Sequence, residues 1–371
     1  GALRITAAGG YTPAEGQVLR PLLSYVSRTG GFSRVELPPG STLTASADYG
    51  TTQLSVTLLA AGCAADVCWI AGSGDWGVAS NWSTGAVPSA AQSVRVSVAG
   101  DQLITVGGGT HSIGSIVMDE ALRVAAGSIT IGGAAAFNAP VTVDGGTLIA
   151  NGDSTFSSLA VNGGALTVGD ARVTGPVTYQ GGTLNIATGR TLTLGSTASL
   201  NVADRSIGGG GTLANEGTLV LDGATITGSL VNRGNASVTG GTTVVTGTGS
   251  RIDHDGGSLT IDDGAVLEKD TGVVAWNGGA LGGTGALTRT SGATLELGDG
   301  DKTLDGLALT LDSLDVRGRL NLSRGALTVA GDTRIQSGST LELSGGSFDP
   351  GGALDNDGIL ALRSGSLDLE N

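Results

Sequence analysis

The chain reads as all-β: a right-handed parallel β-solenoid, or β-helix, with a small β-rich module at its N-terminus. Three observations predict this. Glycine is far above its ordinary share, a short element recurs about every 18 to 22 residues, and apolar runs alternate with period two without a sustained helical period. Of 371 residues 67 are Gly, roughly 18% against a usual share of about 7%. With only eight Pro and no strict G-x-y period, collagen is excluded. A hydrophobic fraction of 39% in alternating runs such as Leu341-Glu342-Leu343 argues against disorder. Only 12 side chains are aromatic, too few for the core of a conventional enzyme of this length.

The N-terminal part, 1–61, has larger apolar residues and less Gly than the remainder of the chain. It carries Gly10-Tyr11, Pro13, Gly16-Gln17, Gly31-Phe32 and alternating strands at 41–47 and 53–58. We read it as a β-rich closing module belonging to a preceding solenoid. Segment 62–100 holds both cysteines and three of the four tryptophans, Trp69, Trp76 and Trp82, before the first clear strand at Val94-x-Val96-x-Val98. The first coil of a solenoid exposes a sheet edge and one end of its core, and bulky aromatics would cover both. The segment is therefore read as a cap and lead-in, with an aromatic sugar-binding platform as the alternative for the same three tryptophans. Cys63 and Cys68 lack the companion ligands of a metal site and are read as a small disulfide loop in an oxidising compartment, the alternative being two free buried thiols.

From 101 to 371 the repeat governs. Gly-Gly-x-Leu occurs at Gly145 to Leu148, Gly163 to Leu166 and Gly181 to Leu184, each 18 residues after the last, with looser copies later. Near the C-terminus a second template pairs Leu320-x-Leu322 with Leu327-x-Val329, Leu341-x-Leu343 with Phe348, and Leu360-x-Leu362 with Leu367-x-Leu369, which predicts two short strands offset by seven. Such strands cannot bury a face alone and must stack on the next copy. At about 20 residues per coil and about 4.8 Å per coil this predicts roughly 14 coils and a rod on the order of 65 Å. A β-sandwich would require hairpin signals, of which Asn151-Gly152 is one of few.

The pattern Cys68-Trp69, Gly74-Asp75-x-Trp76, Asn81-Trp82-Ser83 and Pro88, followed by Gly-rich β-repeats, resembles modules of large bacterial surface exoproteins, the filamentous-haemagglutinin-like and autotransporter-like β-helical adhesins. Residues 10 to 58 are similar to the segment that ends such β-helical stretches. The resemblance implies export, a rod projecting from the cell, and roles in adhesion or biofilm cohesion. Its partners would be further copies of itself, in tandem or as a homopolymer, together with surface glycans or other cells. Joining the last residue to the first sets Leu3-x-Ile5 seven positions after Leu367-x-Leu369, the offset seen inside the C-terminal coils. These four residues are the candidate interface between successive modules, and the chain is read as one period of such an array.

The net charge of −14 repels nucleic acid and anionic membranes, and no apolar run is long enough to insert directly into a bilayer. No catalytic residue, cofactor or metal is expected. The competing reading is a β-helical polysaccharide-degrading enzyme using Asp253-His254-Asp255 with Asp262, Asp263, Glu268, Lys269 and Asp270, against solvated corner residues as the plainer account. Asp299, Asp301 and Asp305 are weak cation-site candidates, lacking the repeated nonapeptide of calcium-binding solenoids. Gly208 to Gly211 has no following Lys-Ser/Thr and is read as a tight corner rather than a phosphate loop. Three sequons, at Asn81, Asn235 and Asn321, permit glycosylation.

Overall fold

Short runs in which every second residue is apolar satisfy their backbone only by pairing sideways, and this protein pairs them with the equivalent runs of the next repeat. The structure is a computed structural model describing residues 2–5, 17–27, 29–32, 34–36, 43–60, 65–290 and 293–369. Strands dominate the described residues, most of them arranged as a parallel β-solenoid of about 14 turns, and no α-helix occurs among those residues. The chain forms two compact units, 1–153 and 154–371.

In the first unit, Val18–Ser24, Gln53–Ala60 and Leu43–Tyr49 form an antiparallel three-stranded sheet, with Gln53–Ala60 central. Ala2–Arg4 lies parallel to Arg34–Glu36, which sets Leu3 opposite Val35. The solenoid rungs begin inside the cap segment: Val67–Cys68 pairs with Ser93–Val96, and Gly74–Asp75 with Leu103–Val106. Each later coil contributes three strands. The first face stacks Ser93–Val96, Ser115–Met118 and Ala135–Phe137; the second stacks Leu103–Val106, Ala121–Val124 and Val141–Val143; the third stacks Thr110–Ile113, Ser128–Ile131 and Thr147–Ala150. Register puts like on like, as in the buried columns Val96, Met118, Phe137 and Ile104, Leu122, Val141.

The second unit repeats the plan. Its first face carries the column Ala171, Leu192, Leu213, Leu230, Ile252, Val274, and its third carries Leu166, Leu184, Ile207, Ile226, Val245. These side chains are almost wholly buried, and each Leu, Ile or Val among them is worth about 1.5–3 kcal/mol relative to exposure. The corners are tight enough to exclude a β-carbon. At Gly182, with φ +71°, a Cβ would lie 1.9 Å from the Gly164 carbonyl oxygen of the preceding coil.

The C-terminal coils depart from the two-strand template. Each pair of runs is one long strand, Arg319–Val329, Thr340–Pro350 and Ile359–Leu367, bent by register shifts where residues such as Ser323 to Gly325 intervene. Gly325, at φ +87°, turns the chain without breaking the ladder. The face opposite is completed by Leu314–Val316, Thr333–Ile335 and Leu354–Asn356.

Candidate functional site

The aromatic cluster is interior. Trp69, Trp76 and Trp82 are no more than 1% exposed. Trp82 packs edge-on against Trp69 and Trp76, with ring centroids 4.9 and 4.6 Å apart. Trp82 Nε1 donates to the Trp76 carbonyl at 2.8 Å and Trp69 Nε1 to the Gly72 carbonyl at 2.8 Å. Asn81 of the Asn-Trp-Ser motif donates through Nδ2 to the Asp75 carbonyl, and the Asp75 carboxylate accepts from the amides of Gly77 and Gly107. The sugar-platform alternative is thereby corrected: a platform needs exposed ring faces, and these three have none because they pack on one another. Cys68 is buried, and its expected bridge to Cys63 lies outside the described residues.

The acids around Asp253 divide between neighbours instead of converging. Alternation puts Asp253 outside and His254 inside. Arg251 holds Asp253 at 3.0 Å, whereas Asp255 accepts from Arg233 of the preceding coil at 2.9 Å and from Asn277 of the following coil at 2.8 Å. The Thr246 hydroxyl, the Thr271 amide and Lys269 hold Asp270 below the usual carboxylate range. Lys269, fully buried, gives its ammonium protons to the Val245 carbonyl at 3.0 Å and to Ser250 Oγ at 2.7 Å, as well as to Asp270. Glu268 alternates to the outer side of the same strand.

Asp262 and Asp263 are exposed and line a trough of about 460 Å³ on the second face, with Gly282, Thr284, Asp305 and Arg324. Arg324 grips Asp305 through Nε at 2.6 Å and Nη2 at 2.9 Å, and with Ser323 it lowers the Asp305 pKa to about 2. Of the other two cation candidates, Asp299 lies 4.0 Å from Arg317, and Asp301 accompanies Lys302. Lys302 is buried, and its ammonium is bound by the carbonyls of Gly298 and Gly300. No group of three metal-binding side chains occurs among the described residues, and Asp305 is committed to Arg324.

Sequence reasoning missed one arrangement. Asn215, Asn232 and His254 occupy consecutive inward positions on the first face and are 0%, 0% and 2% exposed. The signal was present as Leu213-x-Asn215, Leu230-x-Asn232 and Ile252-x-His254, an apolar residue followed two positions later by a polar one. Of the four candidate interface residues, Leu3 faces Val35, and the Ile5 amide donates to the Glu36 carbonyl. Leu367 pairs with Phe348, and Leu369 is 61% exposed.

The fold and its side-chain chemistry define a β-solenoid with a tryptophan-filled first coil. No family model, curated protein or solved structure matches the chain.

Proposed function

We propose that the chain is a structural and adhesive module of a secreted bacterial surface fibre, linked in tandem or stacked end to end with like modules and serving adhesion or matrix cohesion outside the cell. The observation that carries this reading is the coil-on-coil register. Outward side chains fall into columns, and the ionic chemistry ties coil to coil, as in Arg95 to Asp119, Arg123 to Asp144 and Arg190 to Asp170. Its partners are further copies and surface glycans, and it works without cofactor or catalysis. Electron microscopy of purified protein and of the producing cell surface, averaged along any filament, tests it. The expected result is a fibre whose axial repeat matches one chain and which Leu369→Asp shortens. Isolated particles at every concentration, with Leu369→Asp indistinguishable from the parent, would overturn it.

A second reading, a polysaccharide-degrading solenoid, is favoured by one feature, the trough with the exposed Asp262 and Asp263. Depolymerisation of acidic or neutral polysaccharides, abolished in Asp262→Asn and Asp263→Asn, would establish it. No turnover by the parent chain would remove it, and turnover unchanged in both variants would take it away from this trough.

A further inference from the structure

Buried amides are common ways of satisfying a solenoid interior, but the column in the second unit has a fixed direction. Asn215 Nδ2 donates to Asn232 Oδ1 at 2.8 Å, and Asn232 Nδ2 faces His254 Nδ1 at 3.2 Å. His254 Nε2 lies 2.9 Å from the Ala280 carbonyl oxygen. A carbonyl only accepts, so Nε2 carries the proton and Nδ1 is the acceptor. The amides cannot turn over freely. Asn232 Nδ2 also lies 2.9 Å from the Ser258 carbonyl and 3.2 Å from the Gly234 carbonyl, its two protons being shared among these and His254 Nδ1, and Asn215 Nδ2 donates to the Asn235 carbonyl at 3.1 Å. The Asn215 Oδ1 accepts from the Gly217 amide at 3.1 Å.

We propose that the Asn215, Asn232 and His254 column is an acid-sensitive clasp in the second unit, in which one proton added at His254 Nδ1 sets donor against donor and loosens the coils it joins. That proton points at the Asn232 Nδ2 donor, and the one nearby backbone acceptor, the Asn232 carbonyl, is already engaged by the Asp255 amide at 2.8 Å. Turning the Asn232 amide to supply one would surrender its bonds to Ser258 and Gly234 and confront Asn215 Nδ2 with a second donor.

The charged surroundings do not relieve this. On its own strand Arg251 and Asp253 point outward and pair with each other. Asp255 acts on the ring but is shared by Arg233 and Asn277. The neighbouring rungs present Asn232 and Trp276, and the second-face strands Asn235–Gly240, Ser258–Ile261 and Gly279–Gly283 carry no ionisable side chain. Lys269, on the third face of the same coil, is taken up by Val245, Ser250 and Asp270, and Lys302, two rungs on, is taken up by corner carbonyls. Burial, the largest influence, pushes the His254 pKa below 6.5, in keeping with a site built for the neutral ring.

A group whose folded pKa is depressed in this direction binds its proton more readily in the unfolded chain. Stability is therefore unaffected above about pH 6.5 and declines as pH falls from there toward the lower folded pKa, where the ring in the folded chain itself takes the proton and the clasp opens. The inference does not rest on the fibre reading.

The test uses the whole chain. Imidazole nitrogen shifts should report a neutral ring with its proton on Nε2 at pH 7, the signal being assigned by its loss in His254→Gln. Glutamine offers one acceptor and one donor and cannot titrate in this range, so thermal midpoints of the parent should fall by a few degrees between pH 7.5 and 5.5 while His254→Gln stays nearly level. His111, the only other histidine, is controlled by His111→Gln, which should keep the parent's slope. A proton on Nδ1 at pH 7, a ring that titrates at or above pH 6.5, or equal slopes in parent and His254→Gln would overturn the proposal. If His254→Gln fails to fold, His111→Gln, which leaves His254 as the single imidazole, assigns the signal and the ring measurement still decides.

Discussion

At Asn232 a single side chain satisfies polar groups on three coils, because the amide lies between Asn215 below and His254 above and reaches the Ser258 carbonyl across the corner. Removing it leaves buried donors and acceptors without partners, which costs about 1–3 kcal/mol. Asn232→Ala should therefore lose at least that much in urea unfolding, more than the same change at Asn201, an exposed strand residue lining the pocket beside Tyr179. The pair Asp305 and Arg324 is the opposite case, charged and open to water. Its folded carboxyl pKa of about 2 lies below the ordinary 3.8, so its contribution is present above about pH 4 and is lost as pH falls from there through about 2. Because both groups are more than a third exposed, Asp305→Asn should cost only about 0–1 kcal/mol at neutral pH and should flatten the acid limb of the stability curve. Legibility at this scale was uneven. Alternation alone fixes His254 as inward and Asp253 as outward, yet the cluster Asp253-His254-Asp255 looked like chemistry because sequence adjacency hides the fact that its members face different neighbours. The partners of Asp255, Arg233 and Asn277, lie a full coil away on either side.

The elements were legible where a repeat is short and its corners are glycine. Gly-Gly-x-Leu at 163 and 181 places Leu166 under Leu184, and the register does so. Gly182 in the second stretch and Gly189 just beyond it supply the clearest backbone test. Gly182 and Gly189 both have positive φ, +71° and +73°, but a Cβ at Gly182 meets backbone of the preceding coil at 1.9 Å whereas one at Gly189 meets nothing within 4 Å. Gly189→Ala should cost only the conformational term, about 1–2 kcal/mol. Gly182→Ala adds a clash with a carbonyl that cannot swing aside, and it should destabilise by well over that amount or displace the rung. Comparing the two variants by chemical denaturation separates φ from close approach. Equal losses would mean that the corner spacing is softer than the register implies. The merged strands Arg319–Val329 and Thr340–Pro350 were not legible, because a glycine that bends a strand and one that ends it look the same in sequence. The Cys and Trp segment stood apart from the repeats by its composition. That its strand Val67–Cys68 is already a rung depended on a partner, Ser93–Val96, more than twenty residues further on.

For the whole molecule, charge sets the terms of any association between copies. Among the described residues the arginines are spent internally: most sit in ion pairs, Arg205 lies over the Tyr179 ring, and Arg289 donates to the Thr310 carbonyl. Both lysines are buried. The surplus behind the net charge of −14 is therefore acidic and outward, with Asp262, Asp263 and Asp299 among its exposed members. Two such surfaces repel at low ionic strength, where the screening length is about 30 Å at 0.01 M, and approach freely once it falls to about 8 Å at 0.15 M. If copies join through apolar strand surface such as Leu369, added salt weakens the repulsion and leaves the apolar contact intact. Sedimentation velocity should then show association rising from 0.01 to 0.5 M sodium chloride, and Leu369→Asp should blunt that rise. Association that fell with salt would require oppositely charged surfaces to meet, and most of the described arginines are already paired with carboxylates of the same chain. Salt response thus separates an apolar junction from an ionic one before any filament is seen.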